Sequence, residues 1–260
     1  MNSSLQRMLE AIDANKAQLD ATRPLSPPAL ASLQQRLRLA WTPDANATGH
    51  HTLSLREVQV VLDNLKIGDK SLRQHCGNMG CPNAMRYIEE IIANNEPIST
   101  WQIRNVHNAV LKRRVGEEAC RYRHVNVAIA DARTMPPDFL DLPAELAALV
   151  EWHAGAENMH PIERAAELHT RFVRIHPFVD GNGRTGRLLL NIELMKSSYP
   201  PAVIRNEDRA AYCDSLDDAC VSNNYAGIAR LIAESVLRSF DLYFDALGLA
   251  VDQRPTSSPR

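Results

Sequence analysis

Apolar residues recur along most of the chain at the spacing of three and four residues that is typical of amphipathic helices. The first such stripe consists of Leu5, Met8, Leu9 and Ile12, and the prolines within residues 24–28 end it. We interpret this stripe as a helix that packs on the rest of the chain, with a homodimer contact as the alternative. The chain is therefore expected to be all-α, with further helices near residues 30–41, 54–65, 83–93, 99–114, 143–152, 161–175, 188–192, 207–221 and 225–247.

One segment departs from the helical period. Val125, Val127 and Ile129 alternate with Asn126 and two alanines, which is the two-residue period of a strand. The chain then turns near residue 131 and runs on to a pair of prolines. The pattern predicts a small β-hairpin, and the residues alone favour an ordinary hairpin on the surface.

Composition narrows the class of protein. The chain has 260 residues, of which 45% are hydrophobic and 23% are charged, a balance that is ordinary for a globular protein. A net charge of −2 gives no general attraction to nucleic acids or acidic membranes, and no apolar run is long enough to span a bilayer. Five scattered cysteines suit a reducing compartment better than a disulfide framework. We therefore expect a cytoplasmic protein without nucleic-acid or membrane partners, or one that is delivered into a host cell.

The stretch with the most chemistry is residues 176–187, which reads HPFVDGNGRTGR between two predicted helices. It combines a titratable base, a carboxylate, glycines on either side of an asparagine, and two arginines. Glycines permit tight turns and close approach to a ligand, and the start of a helix favours anions. Arg184, Arg187 and Asn191 share one face of the second helix. The stretch predicts a phosphate-binding loop with a base and a metal-binding carboxylate, and a polyphosphate is the expected ligand.

Two other interpretations of this stretch explain less. A capped turn with solvated arginines would not require a base, a carboxylate, glycines and arginines to converge. The spacing of Gly181, Gly183 and Gly186 fits the G-x-G-x-x-G fingerprint of dinucleotide-binding folds. That fingerprint must follow a buried strand, whereas an amphipathic helix precedes it here, so we reject this interpretation.

The stretch matches the signature H-x-F-x-D/E-G-N-G-R-x-x-R at every specified position, and the chain therefore resembles the Fic-domain family. The resemblance covers about residues 41–247. It implies an all-α, Fic-type helical bundle with a small β-hairpin flap beside the active-site loop. Residues 1–40 would be an N-terminal helical extension, and residues 248–260 are expected to be a disordered tail.

The resemblance also implies a reaction, the transfer of AMP from ATP to a Ser, Thr or Tyr hydroxyl of a target protein, with auto-modification. His176 would be the general base, because its ordinary pKa suits proton transfer near neutral pH. Asp180 would bind Mg²⁺, since carboxylate oxygen is a preferred ligand of that ion. The nucleotide would be bound by the amides of Gly181, Asn182 and Gly183, by Arg184 and Arg187 at the β- and γ-phosphates, and by Tyr212 and Leu216 beside the adenine.

By the same resemblance, the target segment would dock on the flap around Val125 and Met135 through main-chain hydrogen bonds. Three alternatives stay open at this point. One is a nucleotide-binding sensor module without catalysis, which the intact His176 argues against. The others are Fic enzymes that transfer a different phosphate-containing group or that remove AMP.

Residues 46–55 resemble the end of an inhibitory helix found in many Fic proteins, where a glutamate pairs with the second arginine of the motif. Gly49 stands at the position of that glutamate, and Ala45 replaces the inhibitory serine or threonine. The resemblance therefore implies an unlocked enzyme, and it disfavours AMP removal, which needs the glutamate. A glycine that ends a helix is the alternative interpretation, and the two are compatible.

Overall fold

The computed structural model describes residues 3–29, 31–33, 88, 90–110, 121–129, 132–205 and 207–249. These residues are largely helical, and the longer helices agree with the predicted all-α class. A 3-10 helix, Phe139–Asp141, precedes the third of them. Shorter helical pieces lie within residues 27–33 and 88–93. The helices are α1 (Ser3–Asp20), α2 (Thr100–Val110), α3 (Leu142–Gly155), α4 (Pro161–Ile175), α5 (Asn182–Lys196), α6 (Arg209–Ser222) and α7 (Ala226–Leu247).

The centre of the fold is the packing of α4 against α5, the two helices that flank residues 176–181. On α4 the predicted apolar face is buried, with Leu168, Phe172 and Ile175 in the core. Helix α7 packs on α4 and α6, α2 packs on α5, and α3 packs on α4. Burial of each large apolar side chain in this core contributes about 1.5–3 kcal/mol. The loop between α4 and α5 is thus held by the best-packed part of the molecule.

Helix α1 joins the same core by packing on α7. Leu5, Leu9 and Ile12 are buried, so the predicted apolar stripe is covered within the chain itself. Asp13 on the same helix accepts a hydrogen bond of 2.6 Å from the hydroxyl of Tyr199. The predicted N-terminal helix is confirmed, while the boundary between residues 40 and 41 stays a prediction.

The predicted β-hairpin is not present, because no strand occurs in the described residues of 121–138. Side chains bind the backbone groups that a hairpin would pair. Asn126 accepts a hydrogen bond of 2.9 Å from the amide of Phe139. Asp217 of α6 accepts from the amides of Arg133 and Thr134 at 3.1 Å. The segment is therefore a loop with side-chain anchors, and we call its described residues, 125–129 and 132–137, the 125–137 loop.

Several predicted features lie outside the described residues. They are most of the helix at 30–41, Gly49 with its inhibitory-like segment, the helix at 54–65, most of the helix at 83–93, and the tail from residue 250 onward. None of the helices in the described part of the chain combines the length and hydropathy of a bilayer-spanning segment.

Candidate active site

His176 ends α4 in the left-handed conformation, with φ 48° and ψ 56°. Its amide donates to the carbonyl of Phe172 at 3.1 Å, which closes the last turn of the helix. For a residue with a Cβ this conformation costs roughly 1–2 kcal/mol. The surrounding contacts must therefore hold the backbone of His176 in place.

The imidazole of His176 has one nitrogen engaged. Its Nδ1 atom lies 3.2 Å from the carbonyl oxygen of Val173. Because a carbonyl only accepts, Nδ1 carries the proton and Nε2 keeps its lone pair. Burial, together with the positive charge of Arg123, lowers the pKa of His176 below its ordinary value of 6.5. The side chain is thus a neutral imidazole near neutral pH, in the tautomer that a general base requires at Nε2.

The side chain of Asn182 holds the loop between α4 and α5 through hydrogen bonds to its backbone. Its side-chain oxygen accepts from the amide of Phe178 at 2.9 Å, and its side-chain nitrogen donates to the carbonyl of Phe178 at 2.7 Å. Phe178, the apolar residue specified by the motif, is fully buried. The buried Asn182 side chain is therefore committed to the loop, and its backbone amide is the group that remains for a phosphate.

His107 of α2 supports the loop from outside the motif. Its ring stacks on Phe178, with ring centroids 3.5 Å apart and planes within 2°. Its Nε2 donates to the carbonyl of Asp180 at 2.9 Å, and burial lowers its pKa. This residue was not predicted from the sequence. Its signal was a histidine four residues after Ile103, on the face of α2 that is buried.

Helix α5 starts directly at the loop. Gly181 precedes it in the left-handed conformation, with φ 83°, and no side chain caps the first turn. Thr185 donates to the carbonyl of Gly181 at 2.9 Å, so the helical hydrogen bonds begin there. The amides of Asn182 and Gly183 lie in the first turn, where backbone donors lack a helical partner and favour an anion.

Asp180 lies at the solvent side of this helix start, and its side chain is 76% exposed. One carboxylate oxygen accepts from the amide of Gly181 at 2.6 Å, and the other accepts from Arg184 at 3.0 Å. The described residues contain no cluster of three or more candidate metal ligands. A single exposed carboxylate beside a phosphate site nevertheless fits Mg²⁺, which commonly takes one or two carboxylates together with phosphate oxygens.

Arg187 is backed by a buried pair. Its charge acts on the nearby hydroxyl of Tyr212 and opposes the rise in the pKa of that group that burial causes. The same hydroxyl lies 2.5 Å from Nε2 of His169. Burial and the charge of Arg187 lower the pKa of His169 to about 3, so this histidine is neutral. Tyr212 is itself buried, and Leu216, four residues on, is half-buried. The contact of these two side chains with an adenine stays a prediction.

Gly186 sets the approach of α5 to α4. A Cβ atom on this residue would lie 2.9 Å from Nδ1 of His169 and 3.1 Å from a methyl group of Val173. Both distances are shorter than a comfortable van der Waals contact. The two helices can therefore be this close only because the residue has no side chain.

Arg123 is a second residue that the sequence analysis did not assign to the site. It is buried, and its Nε donates to the carbonyl of His176 at 2.9 Å. No spacing rule links it to the motif, which lies about fifty positions further along the chain. The loop of the motif is thus anchored by α2, by α5 and by the residues that precede the 125–137 loop.

Comparison with known proteins agrees with this geometry. Residues 97–194 match the Fic/DOC family. Protein adenylyltransferase Fic of Nematostella vectensis is 32% identical over 245 residues, which cover 92% of this chain and 56% of that protein. Protein adenylyltransferase fic-1 of Caenorhabditis elegans is 33% identical over 207 residues, which cover 78% of this chain and 40% of that protein. The chain thus spans about half the length of these curated relatives.

Solved structures show the same fold. A fragment of Fic-1 from C. elegans superposes with a TM-score of 0.68 at 28% identity, covering 95% of this chain and 73% of that one. A Fic domain containing signaling protein from Bacteroides thetaiotaomicron has a TM-score of 0.64 at 22% identity, covering 95% and 99%. The family match of residues 97–194 contains both the loop that begins at His176 and the helix α2 that supports it. Sequence match and geometry therefore describe one site, and the chain belongs to the Fic/DOC family.

Proposed function

We propose that this chain transfers AMP from ATP to a hydroxyl side chain of a target protein and modifies itself in the same way. The observation that carries the proposal is the tautomer of His176, whose Nδ1 is bonded to Val173 and whose Nε2 is available as a base. Its place next to a helix start that favours phosphate adds support. The names of the relatives, which are protein adenylyltransferases, point to the same reaction.

In this reaction Nε2 of His176 takes the proton of the target hydroxyl while its oxygen bonds to the α-phosphorus of ATP. The bond from that phosphorus to the bridging oxygen breaks, and pyrophosphate leaves. The amides of Asn182 and Gly183 would stabilise the charge that moves onto the phosphates. Arg184 and Arg187 would bind the β- and γ-phosphates, because a guanidinium offers several donors and a permanent charge.

Asp180 would hold Mg²⁺ against the phosphates. The bound ion supplies additional positive charge to the leaving pyrophosphate. The exposure of the carboxylate supports this assignment, since its oxygens can be reached by a hydrated cation. Arg184, which donates to the same carboxylate, would neutralise the neighbouring phosphate oxygens.

The target segment would dock on the 125–137 loop around Val125 and Met135. Large apolar side chains are exposed on and near this loop, an arrangement that is typical of protein contact sites. An extended peptide pairs with backbone groups, which suits targets of varied sequence. The exposed apolar residues of this surface are Val125, Met135, Leu140 and Val179.

Tyr212 and Leu216 would lie beside the adenine, and Tyr212 would also help to orient Arg187. Gly49, outside the described residues, would leave Arg187 free of an inhibitory carboxylate. The cysteine usage supports a cytoplasmic location, and homodimer formation stays a prediction that light scattering can check.

The test compares ATP labelled at the α-phosphate with ATP labelled at the γ-phosphate, each incubated with the protein and a lysate. We expect protein bands to carry label from the α-position. The His176→Ala variant should bind ATP as the parent does and transfer no label. Label from the γ-position would mean phosphoryl transfer, and nucleotide that binds without transfer would mean a sensor module.

A further inference from the structure

Arg123 is a buried cation bonded to neutral oxygens. The residue is 2% exposed, and its guanidinium has no carboxylate within hydrogen-bond distance among the described residues. A buried charge is costly unless its donors are satisfied, so such a residue is expected to have a specific task. The carbonyls at the C-terminal end of a helix are a favourable partner, because that end carries partial negative charge. Its acceptors are the carbonyls of Val125, Pro137, Ile175 and His176 and the side-chain oxygen of Asn126.

These bonds join two parts of the site. On one side, Nε of Arg123 donates to the carbonyl of His176, and the amide of Arg123 donates to the carbonyl of Pro177, both at 2.9 Å. On the other side, its two terminal nitrogens donate to Val125 at 3.1 Å and to Pro137 at 2.6 Å. Val125 and Pro137 are the first and last residues of the 125–137 loop. One side chain therefore connects the backbone of the base with both ends of the loop.

We propose that Arg123 is a positioning residue, which fixes the backbone of His176 and the 125–137 loop at a set distance from each other. The proposal rests on the proposed function, in which the loop holds the target hydroxyl and His176 removes its proton. The left-handed backbone of His176 needs a neighbour that holds its carbonyl, and Arg123 supplies that contact. An arginine is required because its guanidinium reaches four carbonyls at once, which the single ammonium of a lysine does not.

The charge of Arg123 gives the proposal a second readout. Burial and Arg123 both lower the pKa of His176, and the hydrogen bond to Val173 raises it. Burial lowers the pKa of Arg123 itself, and the negative charge of Asp138, next to the end of the loop, opposes that change. Removal of the cation should therefore raise the pKa of His176, while a lysine in its place should leave that pKa near the parent value.

The experiment compares Arg123→Met and Arg123→Lys with a matched control, Arg164→Met. Arg164 is another mostly buried arginine, and it donates to Glu193 at 2.7 Å, away from the loop. The readouts are ATP affinity, the single-turnover rate of auto-modification with α-labelled ATP, and the pKa of His176 by NMR. For Arg123→Met we expect unchanged ATP affinity, a higher pKa of His176, and a rate lower by about a hundredfold, as misplacement of a reacting group by an ångström can cause.

For Arg123→Lys we expect the parent pKa of His176 with a reduced rate, and for Arg164→Met a lower stability with the parent rate and pKa. A parent-like rate in Arg123→Lys would overturn the proposal, and so would a loss of rate that parallels a loss of ATP affinity. If Arg123→Met does not fold, the transfer rate of Arg123→Lys still tests the proposal. The NMR titration needs no transfer activity. A parent without AMP transfer would thus contradict the proposed function, whereas an unmoved pKa in Arg123→Met would contradict this inference.

Discussion

Nε2 of His169 and the hydroxyl oxygen of Tyr212 lie 2.5 Å apart, in a pair that joins α4 to α6 behind Arg187. Both side chains are buried, and the charge of Arg187 acts on the same hydroxyl. In the part of the chain that the structure describes, the arginine that would meet the γ-phosphate thus has a neutral pair behind it. Its positive charge is therefore not cancelled by that contact and can act on a phosphate.

Arg187→Ala should weaken the binding of ATP more than that of AMP. The loss for ATP is expected to be about tenfold to a hundredfold, which corresponds to about 1.5–3 kcal/mol for a hydrogen bond to a charged group. Calorimetric titration with both nucleotides measures the difference between the two losses of affinity. The control is Arg230→Ala, because Arg230 is exposed and pairs with Glu234. An equal loss for both nucleotides would contradict the placement of Arg187 at the γ-phosphate.

His169 should make the folded state less stable at acidic pH. Its pKa is about 3 in the fold and 6.5 in its ordinary state, so between these values the unfolded chain binds the extra proton. The free energy of unfolding is then expected to fall as pH decreases through this window, by up to about 1.4 kcal/mol per pH unit. Denaturant titrations of the parent and His169→Gln at several pH values measure the slope. A slope that is the same in both would show that His169 is not its source.

The acidic limb of the transfer reaction should lie below pH 6.5, the ordinary pKa of histidine. The base must be deprotonated, and burial with the charge of Arg123 lowers the pKa of His176, so activity persists into mildly acidic solution. A pH profile of kcat/KM for auto-modification gives the value. An acidic limb above the ordinary pKa would mean that another group, or a raised pKa, governs the reaction.

Asp217→Ala should loosen the 125–137 loop without affecting the nucleotide. Asp217 accepts from the amides of Arg133 and Thr134 at 3.1 Å and from the hydroxyl of Thr134 at 2.8 Å. Loss of these bonds is expected to increase hydrogen exchange in residues 132–135 and to reduce target modification, with ATP affinity unchanged. Asp218→Ala is the matched control, because the exposed carboxylate of that neighbour pairs with the side chain of Arg133 and not with the backbone of the loop. Parent-like exchange in Asp217→Ala would refute the anchoring role.

Gly49→Glu should repress AMP transfer. The family resemblance implies that a carboxylate at this position competes with the γ-phosphate for Arg187. Such a charged pair contributes about 1.5–3 kcal/mol, which corresponds to roughly a tenfold to hundredfold loss of activity. Adding Arg187→Ala should not restore activity, since the phosphate contact is lost as well. Auto-modification of the three proteins is the measurement. A fully active Gly49→Glu protein would mean that the likeness of residues 46–55 to an inhibitory segment is accidental.

The helices were predictable because their apolar spacing coincides with the packing. The pattern at 161–175 matches α4 residue for residue, and the pattern at 143–152 falls within α3. The prediction of a hairpin was wrong because the alternation at Val125, Val127 and Ile129 belongs to a loop whose backbone is bound by side chains. Period alone does not distinguish that loop from a strand.

The site was predictable where it is local in sequence. His176, Asp180 and Arg187 were identified because one short motif contains them. The partners of the motif, His107 and Arg123, lie far from it in sequence, and no spacing rule links them to it. Only the packing of α2 and of the residues before the 125–137 loop against the motif brings them to it. The burial of Tyr212 could also not be predicted from the sequence, because its partner His169 lies on a different helix.

The contact at Gly186 determines a dimension of the site. His176 ends one helix and Arg187 lies in the next, so the span between the proton acceptor and the phosphate arginine depends on how closely α4 and α5 approach each other. Gly186 permits that approach, although it has no functional group and touches no substrate. A methyl group at this position would push the two helices apart. Variation at this position would thus change the distance between His176 and Arg187 while both residues are retained.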